Sequence, residues 1–281
     1  MVKILCIAGP TASGKSSRAV EEALVRSGEI ISVDSRQVYR GLDIGTEKIT
    51  RDEMRVVLHH LLDIREPIEN YSAGDFVADA SELIAAIAAR EKLPILVGGT
   101  HFYFDALLSG IPAVSEDPAL RSTLEQLTTE ELFARILTAD PRRAKELDPM
   151  NRRRLIRALE IIGVHGVVPE RMSVVPGYEV EWLVINPPQE ELRMKIDERL
   201  RSALTRGLID EVRRVRGNVG DARLNELGLE YRIVGEYLRG ERTEASLLPA
   251  LSAKLWQYAR RQKAWLRKLA TAATVSHQGR N

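Results

Sequence analysis

The apolar run VKILCIA, residues 2–8, leads directly into GPTASGKSSR, residues 9–18, and nothing else in the chain restricts the fold as much. Gly9, Gly14, Lys15 and Ser16 satisfy G-x-x-x-x-G-K-[ST] without a mismatch. The glycines let backbone N–H groups converge on phosphate oxygens, and the helix that follows adds the positive end of its dipole. Lys15 can reach the outer phosphate, and the Ser16 hydroxyl suits Mg²⁺. A strand before the loop and a helix after it predict a phosphate site at the carboxyl edge of a parallel sheet. The motif by itself favours ATP or GTP, yet it reads only a diphosphate and leaves the rest of the ligand open.

Short apolar runs alternate with amphipathic stretches over the first hundred residues. They predict strands near 2–8, 29–34, 57–64 and 93–98, and helices near 15–27, 73–91 and 101–109. This alternation implies an α/β fold with a parallel sheet flanked by helices. The pattern changes at GIPAVSEDPALRS. Residues 113–165 look helical throughout, with Asp117-Pro118, Asp140-Pro141 and Asp148-Pro149 as helix starts. VVPERMSVVPGYEV breaks this run, and EVEWLVIN (179–186) returns to strand character. Helices near 188–216, 228–239 and 244–270 follow, with a frayed tail from 271. The expected organisation is a core of residues 1–112 and 166–281 interrupted by an all-helical insertion, 113–165.

Asp34 stands at the carboxyl end of the second strand, in ISVDSRQVYRGLDIGTEK. A carboxylate there suits a general base or a metal's water, and it also suits a helix N-cap; position alone leaves these open. Ser35, Arg36, Gln37 and Tyr39 look polar enough to read a substrate. The later strand, in LPILVGGTHFYF, ends in Gly98-Gly99-Thr100, where glycines allow close approach and Thr100 can donate to a phosphate oxygen. Asp63 is a weak candidate for the metal carboxylate missing there. His59 and His60 point to opposite faces of a strand, which favours packing or hydrogen bonding over a shared metal.

Two basic tracts remain. NRRRLIRALE carries Arg152, Arg153, Arg154 and Arg157 beside an apolar face, with Arg142, Arg143 and Lys145 upstream. AKLWQYARRQKAWLRK mixes Lys254, Arg260, Arg261, Lys263, Arg267 and Lys268 with Trp256, Tyr258 and Trp265. Basic and aromatic residues together suit RNA or DNA, whereas a solvated helix face with inward aromatics explains them equally well. The net charge of +1 decides nothing, because clustering matters more than the total. Cys6 is the single cysteine, so an internal disulfide and a Cys-based zinc site are both excluded. With no membrane span or signal sequence in view, the chain reads as cytoplasmic.

In their order along the chain, these segments resemble the bacterial tRNA dimethylallyltransferases, or tRNA isopentenyltransferases. The resemblance rests on GPTASGKS, VDSRQVYRGLDIGTEK, HHLLDI, YSAGDF, LVGGTHFYFDALLSG, NRRRLIRALE, GLIDEV and QYARRQKAWLR. It implies a P-loop NTPase-like core and transfer of a dimethylallyl group from dimethylallyl diphosphate to N6 of adenosine-37, next to the tRNA anticodon, with no ATP consumed. It further implies that Gly9, Pro10, Thr11, Ala12, Ser13, Gly14, Lys15 and Ser16 hold the diphosphate, with Mg²⁺ on Ser16. By the same resemblance Asp34 is the base toward the adenine amine, Thr100 assists the diphosphate and Arg199 steadies the leaving group. Ser35, Arg36 and Gln37 would meet the target base. Arg121 and the segment Arg153, Arg154, Leu155, Ile156 and Arg157 would touch the anticodon stem-loop. A monomer is the expected state. The competing readings are a phosphate-loop kinase, a prenyltransferase acting on free AMP, and a non-catalytic RNA-binding protein. The kinase leaves the GGT segment and the C-terminal tract unexplained, and a free nucleotide has no need of the arginine-rich insertion. Intact Lys15, Ser16, Asp34 and Thr100 argue against a decayed site.

Overall fold

The computed structural model describes residues 1–110, 114, 117–169 and 177–278. The chain forms two compact units, one of Met1–Leu107 with Pro176–Asn281 and one of Leu108–Val175. The second unit extends somewhat beyond 113–165 at both ends. Val168 packs into its core, and the strand that resumes the sheet begins only at Tyr178.

In the first unit, strands β1 (Val2–Ala8), β2 (Gly28–Val33), β3 (His59–His60), β4 (Leu93–Gly98) and β5 (Tyr178–Val184) form one sheet in the order β3-β2-β4-β1-β5. Every pairing is parallel. Helix α1 (Lys15–Arg26) carries the chain from β1 to β2 across the place that β4 fills, and lays Ala19, Val20 and Ala23 on Leu5, Ile30, Ile95 and Val97. Strands so covered are apolar without alternation, which is why β1 and β4 read as continuous runs. Cys6 is fully buried in β1, where burial pushes its thiol up and leaves it unreactive. Helix α2 (Arg51–Met54) precedes β3, α3 (Ala73–Ala89) leads into β4, and α4 (His101–Ser109) follows it.

Between α4 and β5 lies the helical unit: α5 (Pro118–Glu125), α6 (Thr129–Ala139), α7 (Pro141–Glu146) and α8 (Arg152–His165). Its core gathers Leu124, Leu132, Ile136, Leu155 and Ile156. Asp117 and Asp140 cap α5 and α7 with proline in the first turn, as expected. Asp148-Pro149 starts no helix. Asp148 accepts the Met150 N–H in a turn, and Asn151 caps α8 instead.

After β5 the first unit continues through α9 (Gln189–Thr205), α10 (Leu208–Leu224), α11 (Leu229–Leu238) and α12 (Leu247–Gln278). The single helix expected over 188–216 is thus two, because Gly207 takes φ +99° between α9 and α10. The strand expected over 57–64 shrinks to two residues, since Leu61 and Asp63 adopt φ +61° and +54° and turn the chain away. Helix α2, closed by a Thr50–Glu53 capping box, has no counterpart in the predicted elements. The segment after 270, expected to fray, continues α12 to Gln278. Residues 279–281, and residues 170–176 of the predicted break, lie outside the described residues, as does the Lys268 side chain.

Candidate active site

Sheet register brings the site together. Gly98 pairs with Ala8 on one side and with Val33 on the other, so Gly9, Asp34 and Gly99 leave the carboxyl edge side by side. A Cβ on Gly98 would come within 2.0 Å of the Val33 carbonyl oxygen, so only glycine lets these strands close up. Thr11 to Ser16, Asp34 to Gln37, Thr100 and Arg199 all line one cavity of about 760 Å³.

The phosphate loop takes its shape from its own backbone. Gly14 holds φ +82° at the head of α1, and the Ser13 N–H donates to the Pro10 carbonyl at 3.3 Å. The Ser13 hydroxyl is buried and makes no hydrogen bond among the described residues, as suits an atom waiting for a phosphate oxygen. Lys15 Nζ donates to the Pro10 carbonyl at 3.3 Å. Burial pushes its pKa down to about 8; the Asp34 charge opposes that shift and Arg199 adds to it.

Asp34 divides its carboxylate between two tasks. Oδ1 accepts the Arg36 and Gln37 N–H groups at 2.8 and 3.2 Å, the turn-capping role that position alone allowed. Oδ2 makes no hydrogen bond among the described residues, and it is the oxygen left for a proton. Thr100 Oγ1 accepts the Ser35 N–H at 3.3 Å, which joins the β2 and β4 ends. Arg36 lines the cavity with its side chain unpaired among the described residues. Gln37 differs from expectation. Its amide accepts from Ser32 Oγ at 3.0 Å and donates to the Thr46 and Glu47 carbonyls at 3.3 Å, so it ties the chain to itself rather than reading a base.

Arg199 reaches the cavity from α9. Its guanidinium donates to Thr11 Oγ1 and, at 3.2 Å, to the Gly45 carbonyl, and it pairs with Glu47 at 3.0 Å and Glu230 at 3.3 Å. Burial raises the Glu230 pKa, against the pull of Arg199. The segment bearing Gly45 is held by Glu211 on α10, a buried carboxylate that accepts the N–H groups of Asp43, Ile44 and Gly45 at 2.8–3.0 Å and the Tyr231 hydroxyl at 2.7 Å. Sequence reasoning missed Glu47, Glu211, Glu230 and the α12 residue Gln262. Only Gln262 carried a usable signal, as a polar residue in register with Leu255, Ala259 and Leu266 on a buried helical stripe.

Most other candidates fall away from the cavity, although His59, Tyr258 and Arg261 line it. Asp63 pairs with Lys48, whose side chain is nearly buried, and does not itself line the cavity. His60 bonds to the buried Glu29 at 2.8 Å, and His59 bonds to the Val57 carbonyl at 3.0 Å. In the C-terminal tract Trp265 stacks on His101 and packs against Phe104 and Trp182, so it faces the core; Tyr258 and Arg261 line the cavity. The helical unit sorts its own candidates. Leu155 and Ile156 are buried in its core and present no side chain to a ligand, because α8 needs them for packing. Arg121 and Arg157 pair with the buried Glu160 at 3.0 and 3.1 Å. Arg153 and Arg154 are exposed and form no ion pair among the described residues.

The donor set fits Mg²⁺ in one way. No cluster of three or more His, Cys, Asp or Glu among the described residues could hold a metal alone. The Ser16 hydroxyl, free of other hydrogen bonds among the described residues, is a hard oxygen donor at the loop. A magnesium ion suits such a site when phosphate oxygens and water complete its shell.

A parallel sheet in this order, a phosphate loop between β1 and α1, and a carboxylate and a threonine beside it define a P-loop-type fold. The IPP transferase family model matches residues 37–269, and the chain belongs to this family. The tRNA dimethylallyltransferase of Thermomicrobium roseum is 40% identical over 280 residues, covering 95% of this chain and 84% of that protein. A tRNA dimethylallyltransferase of Trichlorobacter lovleyi is 40% identical over 276 residues, covering 94% and 90%. Among solved structures, the tRNA isopentenylpyrophosphate transferase of Bacillus halodurans superposes with a TM-score of 0.72 at 36% identity, over 95% of this chain and 87% of that one. A eukaryotic dimethylallyltransferase acting on tRNA gives 0.83 at 26% identity, over 95% and 70%.

Proposed function

We propose that this chain is a tRNA dimethylallyltransferase, moving a dimethylallyl group from dimethylallyl diphosphate to N6 of adenosine-37 beside the anticodon. The observation that carries the reading is the row formed by Gly9, Asp34 and Gly99, which sets a free carboxylate oxygen against a diphosphate cradle. An exocyclic adenine amine is a weak nucleophile, since its lone pair is delocalised into the ring. Catalysis must therefore come from placement, stabilisation of the leaving group and late removal of a proton.

The loop N–H groups, Lys15, the Ser13 and Thr100 hydroxyls and Arg199 face the charge that grows on the departing diphosphate. As the N6–C bond forms, the C–O bond to the diphosphate breaks and its electron pair leaves with the phosphate oxygen. The N6 proton passes to Asp34 Oδ2, while the two N–H groups on Oδ1 keep the carboxylate aimed. Ser16 would hold Mg²⁺ together with the donor's phosphate oxygens, and the ion supplies further neutralisation of the leaving group. An unstacked loop base reaches such a site at less cost than a duplex base. Arg153 and Arg154, exposed on the helical unit, would meet RNA phosphates. The protein would act in the cytoplasm as a monomer. Among the described residues no helix is long and apolar enough to cross a membrane.

The test is a single-turnover transfer assay without ATP. It combines labelled dimethylallyl diphosphate, Mg²⁺ and an unmodified anticodon stem-loop with three adenosines starting at the last anticodon position, with AMP as parallel acceptor. Label in the RNA alone is expected. Label in AMP would move the reading to a free-nucleotide prenyltransferase, and transfer to neither would favour the kinase.

A further inference from the structure

One polar side chain interrupts the apolar stripe of α12. Leu251, Leu255, Ala259 and Leu266 are buried along this face, and Gln262 lies among them at 2% exposure. Its amide bridges two strand ends: Oε1 accepts the Thr11 N–H at 2.9 Å, and Nε2 donates to the Gly99 carbonyl at 2.9 Å. Thr11 belongs to the phosphate loop after β1, and Gly99 is the residue between β4 and Thr100. A residue serving packing alone would be apolar here like its neighbours. A buried amide persists only where both of its ends are bonded.

We propose that Gln262 is a positioning residue of the transfer reaction, a latch that fixes the phosphate loop relative to Thr100 around the donor's diphosphate. The inference rests on the prenyl-transfer reading. Thr11 is held twice, its N–H by Gln262 and its hydroxyl by Arg199, so the latch also reaches the leaving-group arginine. From Gly99 the turn continues to Thr100, whose hydroxyl takes the N–H of Ser35, next to Asp34. One amide therefore joins the groups that must converge on the leaving diphosphate. Preorganised donors stabilise developing charge only if they are already in place, and errors of about half an ångström matter. Gln262 itself touches no reacting atom; it acts through Thr11 and Gly99.

Three variants separate positioning from packing. Gln262→Met keeps the volume and removes both hydrogen bonds. Gly99→Ala leaves Gln262 intact but sets a Cβ 2.4 Å from Nε2, which displaces the amide. Gln262→Glu keeps an acceptor for the Thr11 N–H. When protonated it also regains a donor toward the Gly99 carbonyl, whereas the ionised form sets a carboxylate against that oxygen. In single turnover with saturating stem-loop RNA, Gln262→Met and Gly99→Ala should each slow transfer by about 10- to 100-fold, with RNA affinity unchanged. Relative to wild type, Gln262→Glu should recover at least about fivefold as the pH is lowered from 8 to 5.5, while Gln262→Met stays flat. Asp34, Lys15, Arg199, Glu230 and Tyr258 face the same cavity in every variant, and the uncharged Gln262→Met variant is the control for them. Folding is checked by thermal melts; if Gln262→Met does not fold, the other two variants carry the test. Wild-type rates in folded variants, or a flat Gln262→Glu ratio, would overturn the latch. Should the wild type transfer nothing, the transfer reading fails separately. Calorimetry with inorganic diphosphate then decides, because the latch requires weaker binding by Gln262→Met and equal affinities would sink it.

Discussion

Two buried glutamates show how differently the two units use the same side chain. Glu211, in the phosphate-site unit, is 3% exposed and spends its carboxylate on three backbone N–H groups and one tyrosine hydroxyl. It receives no cation among the described residues; it shapes the segment whose Gly45 carbonyl meets Arg199. Glu160, in the helical unit, is 1% exposed and takes Arg121 and Arg157. It holds helices together and uses up part of the basic charge that a count of arginines credits to RNA. Glu211 thus helps to aim a site. Glu160 serves the cohesion of its own unit, in which Arg153 and Arg154 stay exposed. Chemistry needs groups fixed before the substrate arrives, whereas a grip on a phosphate backbone needs only accessible charge.

The comparison can be broken from either side, and the largest effect belongs to the first unit. Asp34→Asn removes the proton acceptor while retaining an oxygen for the Arg36 and Gln37 N–H groups. Single-turnover transfer should fall by about 10²- to 10⁴-fold with RNA affinity nearly unchanged. A rate near wild type would take Asp34 out of the base role.

Lys15→Ala comes next, with a loss of about 10²- to 10³-fold in transfer and weaker donor binding. Its pH dependence follows from burial. With a pKa near 8 in the free protein, Lys15 is charged below that pH and neutral above it, and a diphosphate favours the charged form. Donor affinity should therefore be full below about pH 8 and fall as the pH rises through it. The Lys15→Ala variant should lack that limb, and titrating donor binding in both proteins checks this.

Smaller effects are expected from the helical unit. Arg153→Glu with Arg154→Glu should weaken stem-loop binding by about tenfold and reduce its salt slope, since each phosphate contact contributes close to one unit of slope. Transfer at saturating RNA should hold. A changed rate at saturation would mean that these arginines also act on the reaction. Glu160→Gln should remove the buried charge that Arg121 and Arg157 share and destabilise the helical unit by about 2 kcal/mol, the arginines being partly exposed. Affinity for inorganic diphosphate should not change. A changed affinity would mean that Glu160 does more than hold its own unit together.

Much of this was legible in the chain itself. A continuous apolar strand, a glycine-bracketed loop and a helix start are local patterns, and each depends on residues a few positions apart. VKILCIAGPTASGKS therefore specified both the sheet and the phosphate cradle, and Asp34 and Thr100 were found because parallel strands deliver their following residues to one edge. Two of the three Asp-Pro pairs located helix starts in the insertion. The failures were equally physical. A strand at 57–64 matched the apolar pattern but lost to two left-handed residues, and a long helix over 188–216 was cut at Gly207.

What only the tertiary structure decided is how polar side chains were shared out. Gln262 lies 251 positions from Thr11, Glu211 lies 166 from Gly45 and Arg199 lies 188 from Thr11, and no local pattern pairs residues so far apart. The sequence could show that Arg121 and Arg157 are basic and that Gln37 is polar. Whether those groups face a ligand or a neighbour depends on which partners the folded chain sets beside them. Burial then settles the matter, because an unpaired polar group inside the protein is costly and each one takes the partner that the fold brings within reach.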